Sequence, residues 1–107
     1  MESDMRLKDK VKIRQEDKTF IEVPGVVMPF KYNSLEINLI LHESIQPWTP
    51  NVLDVSEEST GCLCTSTKLP VAVATKKDAE KAMSDLIDFK GVNAFKKAMA
   101  LRKKEVQ

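Results

Sequence analysis

The sequence predicts an α+β fold: a mainly antiparallel sheet of about five to six strands, followed by two C-terminal helices packed on it. Two observations carry that expectation. Apolar residues alternate with polar ones through the first two thirds of the chain, the period of half-buried strands. Near Thr75 the period lengthens to that of a helix with one apolar face, and strands followed by helices form the α+β class.

The first strand is read from "KVKIRQ", where Val11, Ile13 and Gln15 oppose Lys10, Lys12 and Arg14. "EDK" supplies a turn, and "TFIEV" resumes the alternation, giving a hairpin that Pro24-Gly25 is expected to end. "VVMPFKY" reads as a short extended segment that Pro29 confines to an edge or a bend. "SLEINLILHESI" is the clearest strand, with Leu35, Ile37, Leu39, Leu41 and Ile45 on one face. Glu36, Asn38, Ile40, His42 and Ser44 take the other. "QPWTPN" is a loop, "VLDVSE" a strand, "ESTG" a turn and "CLCTST" the returning strand, while "PVAVA" either extends the sheet or covers its edge.

Thr75 and Asp78 stand at the spacing of a capping box, with Asp in place of Glu. Ala79, Ala82, Met83, Leu86 and Ile87 then make one apolar stripe, and Lys90-Gly91 closes the helix. Asn93 is positioned to cap a second helix running to about Lys104, with Phe95, Ala98 and Met99 as its ridge. A chain of 107 residues has the size of one domain, with residues 1–9 and 105–107 expected to be loose.

Composition narrows the function classes. Hydrophobic residues make up 42% and charged residues 31%, the balance of a folded globular domain. The net charge of +1 divides unevenly: +1 over residues 1–31, −5 over 32–67 and +5 over 68–107. Near-neutrality argues against broad attraction to nucleic acid but leaves room for a local basic patch. The basic start lacks the apolar core of a secretory signal, and "LEINLIL" is far short of the ~20 residues that span a bilayer. The expectation is therefore a cytoplasmic protein with reduced thiols and no membrane partner.

Few residues invite a reactive reading. A structural zinc site needs about four ligands, whereas the chain offers two cysteines and one histidine. Cys62 and Cys64 read as wall residues of a strand, and no metal or cofactor is expected. His42 has no partner that the sequence identifies. Isolated glycines at 25, 61 and 91 serve turns or caps and cradle no phosphate.

Surface features are more informative. Trp48, bracketed by Pro47 and Pro50, either plugs the end of the sheet or stands out as an anchor for a partner. Glu57 and Glu58 form an acidic loop pair, and with Trp48 they make up the partner-binding reading. Lys96, Lys97, Arg102, Lys103 and Lys104 make the second helix basic, a surface for phosphates, for an acidic protein, or for solvent alone. An uncapped sheet edge would permit homodimerisation.

Trp48, Val55-Ser56-Glu57, Thr60-Gly61, Thr75-Lys76-Lys77 and Ala79 together resemble a pattern in small accessory proteins of bacteriophages and mobile elements. The resemblance spans residues 48–90. It implies a ββα unit and a context of binding host or phage macromolecules, and it carries over no catalytic residue. The expectation is a non-enzymatic protein that binds another protein. The alternative is a nucleic-acid-binding module built on the basic helix.

Overall fold

A computed structural model of the protein describes residues 7–105. Five strands form one antiparallel sheet in the order of the sequence: β1 (Asp9–Arg14), β2 (Phe20–Tyr32), β3 (Leu35–Glu43), β4 (Val52–Glu57) and β5 (Leu63–Pro70). Two helices follow, α1 (Lys76–Lys90) and α2 (Val92–Glu105). The fold is thus α+β as expected, with five strands.

β2 departs from the sequence expectation. Pro24-Gly25 does not end it; the strand runs 13 residues without a break. Its first part pairs with β1, from Arg14↔Phe20 to Asp9↔Gly25, and its second part pairs with β3, from Gly25↔His42 to Tyr32↔Leu35. Pro24 therefore has a partner only on β1, and Pro29 only on β3. Each proline has one unpaired side to which its missing N–H does no harm. Gly25 is where the three strands meet. A Cβ there would lie 2.6 Å from Val11 Cγ2 and 2.9 Å from the Leu41 carbonyl oxygen, so glycine is required by closeness of approach.

The alternation of the strands places two apolar clusters on opposite faces of the sheet. Met28, Phe30, Leu35, Leu39, Leu41, Leu53 and Val55 face the helices and meet Ala79, Met83, Ile87 and Phe95 there. Val11, Ile13 and Ile40 form the smaller cluster on the other face, with Ile21, Val23 and Ile45 packed around it. Ile45 was expected beside Leu41. β3 ends at Glu43, so strand parity no longer governs Ile45, and it turns to Ile40.

The sheet coils back on itself. The N–H of Arg14 donates to the Gly61 carbonyl at 2.7 Å, which joins the end of β1 to the β4–β5 turn. Gly61 has a φ of 71° and lies 3.0 Å, measured from an added Cβ, from the Phe20 ring, so both conformation and space call for glycine.

α1 begins as its sequence indicates. Thr75 accepts from the Asp78 N–H, and the Asp78 carboxylate accepts from the Thr75 N–H at 2.8 Å. Ala79, Met83 and Ile87 are buried, with Ala82 and Leu86 half-buried beside them. Val71–Val73 form a turn, and Ala74 is buried. α2 starts directly at Val92, so Asn93 lies inside the helix and does not cap it. The ends also differ from expectation: Asp9 is in β1, and Glu105 is helical and paired with Arg14 at 2.9 Å. Expectations for residues 1–6 and 106–107 lie outside the described residues.

Candidate functional site

The residues proposed from sequence to meet a partner are dispersed. Trp48 stands 74% exposed on the β3–β4 loop, so it does not plug the sheet. The loop under it is braced. Ser44 Oγ and Thr49 Oγ1 are 2.7 Å apart, Gln46 N–H donates to Ser44 Oγ at 3.1 Å, and Thr49 N–H donates to the Gln46 carbonyl at 3.1 Å. At the far side of the loop, Asn51 takes a φ of 67° while its N–H donates to Glu43 Oε2 at 2.9 Å. The Val71 N–H donates to the Asn51 carbonyl at 2.7 Å, tying this loop to the exposed turn that carries Val73.

Glu57 requires a correction. It is not a surface acid: only 3% of it is exposed, on the helix side of the sheet opposite Leu39. One carboxylate oxygen accepts from Thr60 N–H at 3.0 Å and Thr60 Oγ1 at 2.8 Å, and the other from Ser59 N–H at 2.8 Å. The backbone of the β4–β5 turn has claimed both oxygens. Glu58 is exposed and accepts from Asn38 Nδ2 at 3.0 Å.

The basic residues of α2 do not act as one stripe. Lys96 donates to Ser34 at 3.3 Å beside the β2–β3 turn. Lys97, Lys103 and Lys104 are exposed to solvent. Arg102 leans the other way, its Nη1 lying 3.9 Å from Cys62 Sγ. There it meets Arg14, whose Nη1 is 3.7 Å from the same sulfur and whose Nη2 holds Glu105. β1 thus joins α2 in a basic groove that the linear pattern of the helix did not show.

Both cysteines serve the walls. Cys62 is buried beneath the two guanidinium groups, and Cys64 packs at the margin of the main cluster. Burial pushes the Cys64 thiol up to about 12, so it stays protonated. Leu63 between them is exposed and lines both the small cavity beside His42 and the groove under Arg14 and Arg102. Among the described residues no group of three or more His, Cys, Asp and Glu is placed to hold a metal ion.

His42 forms the most chemically suggestive contact. Its Nδ1 is 2.8 Å from the Glu43 carbonyl, which can only accept, so Nδ1 carries the proton. Nε2 is then the acceptor for the Ser56 hydroxyl, also at 2.8 Å. This is the hydrogen-bond order of an activated serine. Both side chains are, however, only 1% exposed, and the adjoining cavity measures about 120 Å³, too small for a substrate of ordinary size. Burial holds the His42 imidazole below its usual pKa, against the Glu43 hydrogen bond and the nearby Asp54 charge. The arrangement ties β3 to β4 and satisfies the polar groups of the second apolar face.

Comparison with protein-family models, curated proteins and solved structures gave no match for this chain.

Proposed function

We propose that the protein is a non-enzymatic accessory factor that binds another protein, with Trp48 as its anchor. The observation that carries this reading is the exposed indole on a hydrogen-bonded, proline-bracketed loop. A large apolar side chain held in place beforehand loses little conformational entropy when a partner covers it. Tryptophan is also enriched among the residues that dominate interface energies, typically at about 2 kcal/mol or more when truncated. Glu58 supplies an exposed charge on the turn at the other end of β4. The bacteriophage and mobile-element resemblance supplies the context, and cytoplasmic residence follows from the same reading. Among the described residues no helix is long and apolar enough to cross a membrane.

Trp48→Ala tests the reading. Because the indole makes little contact with the fold, the variant should keep the urea midpoint of the wild type. It should lose a partner that immobilised wild-type protein retains. Trp48 is the only tryptophan, so its fluorescence reports the same event: emission should shift to the blue as the partner is added. Equal retention by wild type and variant, with unshifted emission, removes Trp48 from the interface.

A further inference from the structure

We propose that the groove between the end of β1 and the last turns of α2 binds the backbone of single-stranded nucleic acid, and that Glu105 occupies its phosphate position in the free protein. The groove is lined by three cations, Arg14, Lys18 and Arg102, two acids, Glu16 and Glu105, and Gln15, Cys62 and Leu63, and encloses about 370 Å³. Two guanidinium groups approach it from different elements. Arg14 comes from β1 and Arg102 from α2, and each lies within 4 Å of the Cys62 sulfur on its floor (3.7 Å and 3.9 Å). Lys18 enters from the β1–β2 turn, where its φ of 72° sets the course of the chain.

One anion is already in place. Glu105 accepts from Arg14 Nη2 at 2.9 Å, and Arg14, Lys18 and Arg102 together favour its charged form. Its side chain is 46% exposed at the end of a helix, whereas that of Arg14 is only 5% exposed. The cation is thus fixed by the fold and the carboxylate is the replaceable member. A phosphodiester entering beside Arg14 would take over the same charge-assisted contact, and Arg102 and Lys18 would reach its remaining oxygens.

A nucleic-acid strand is favoured over a free phosphate by what surrounds the groove. Phe20 stands directly across from Arg14 in the β1–β2 pairing and is 44% exposed, and Leu63 is 47% exposed. An exposed aromatic ring beside a cationic track is how unpaired bases are held without sequence preference. Lys10 and Lys12 continue the track along the same face of β1 as Arg14, both exposed, with Glu22 opposite Lys12 as the one acid in that row. This surface uses residues from β1, β2 and α2. None of the residues lining the groove belongs to the Trp48 loop.

Fluorescence anisotropy of a labelled oligothymidylate, titrated with the full chain at low salt, tests the proposal. Wild type should bind, with log affinity falling against log salt by about 0.7 for each phosphate contacted. Glu105→Gln removes the internal competitor and should tighten binding about threefold to tenfold. Lys18→Glu, on an exposed turn where folding is not at risk, should weaken it by a similar factor. Phe20→Ser should cost about tenfold while leaving the salt slope unchanged. Absence of binding by both wild type and Glu105→Gln overturns the proposal, as does a Glu105→Gln affinity equal to or below that of wild type. Displacement of the oligonucleotide by an equal phosphate concentration of tripolyphosphate, or equal binding of an acidic peptide, overturns the nucleic-acid assignment. Trp48→Ala should bind the oligonucleotide as wild type does, so the two surfaces fail or stand separately.

Discussion

Glu57 shows how far a single side chain can depart from its sequence neighbourhood. Glu57-Glu58 reads as a solvated acidic turn, yet the first carboxylate is buried and the second exposed. Strand parity decides it: Glu57 shares a face with Val55, and the tight turn after it turns the N–H groups of Ser59 and Thr60 back toward that face. Removing the carboxylate leaves these donors unpaired, which costs about 1–3 kcal/mol. Glu57→Ala should therefore lower the free energy of unfolding by about 2 kcal/mol in urea denaturation, whereas Glu58→Ala should change it by less than about 0.5 kcal/mol. Equal effects of the two substitutions would contradict the assignment. His42 makes the second residue-scale prediction. Its folded pKa lies below the ordinary 6.5 because burial disfavours the imidazolium. As pH falls through that ordinary value the unfolded chain takes up a proton that the folded chain refuses, so the unfolded state gains. Stability is retained above about pH 6.5 and declines below it, before the carboxylates begin to titrate near about pH 4. The chain has one histidine, so His42→Gln should flatten stability between those limits, read as the urea midpoint against pH. A slope that survives the substitution assigns the pH dependence elsewhere.

At the scale of elements, sequence and structure agree where local chemistry is sufficient and separate where pairing decides. α1 was legible throughout because its cap, stripe and terminus are all encoded within it: Thr75 with Asp78, then Ala79 to Ile87, then Gly91. The start of α2 was not, because Gly91 both closes one helix and accepts from Phe95 N–H in the first turn of the next, leaving Asn93 no capping role. β2 was misread as two pieces because proline is judged by the N–H it lacks, and whether that N–H is needed depends on which neighbours are present. Pro24 and Pro29 each lack one. The basic groove escaped for a related reason, since Arg14 and Arg102 are 88 positions apart and only the coiling of the sheet brings them to one sulfur. Gly25, where β2 is paired on both sides, supports a prediction on β2 as a whole. Gly25→Ala sets a methyl group against Val11 and the Leu41 carbonyl, contacts that only movement of β1 or β3 relieves. Overpacking of this kind costs about 1–3 kcal/mol. Urea unfolding should show that loss, and Gly91→Ala, with no atom within 4 Å of its added carbon, should show only the strain of its φ of 92°. A Gly25→Ala protein as stable as wild type would mean that the three strands do not meet so closely.

Across the whole molecule, burial is distributed very unevenly, and this predicts the order in which parts of it open. β3 contributes Leu39, Ile40, Leu41 and His42 as consecutive buried residues, the odd positions to the helix-side cluster and Ile40 to the other, so it holds both layers together. β4 beside it is buried from Leu53 to Glu57. α2 contributes a single buried side chain, Phe95, supported by half-buried Val92, Ala98 and Met99. Its last turn is held by the Arg14–Glu105 pair and by Arg102 over Cys62, contacts of an exposed helix end that solvent screens and that contribute little. A helix attached in this way opens at a lower free energy than the sheet beneath it. Native-state hydrogen exchange should therefore find the slowest amides in β3 and β4 and markedly faster ones throughout α2. Phe95→Ala should accelerate α2 amides much more than those of β3, because truncating a buried phenylalanine costs about 3–5 kcal/mol and this one is the main attachment of its helix. Equal protection in α2 and β3 would mean that the helix unfolds only with the whole domain. Because Arg102 of α2 is one of the two guanidinium groups of the proposed groove, oligonucleotide added to the exchange reaction should slow the amides of the last turns of α2 together with those of the β1–β2 turn, and leave β3 and β4 unchanged.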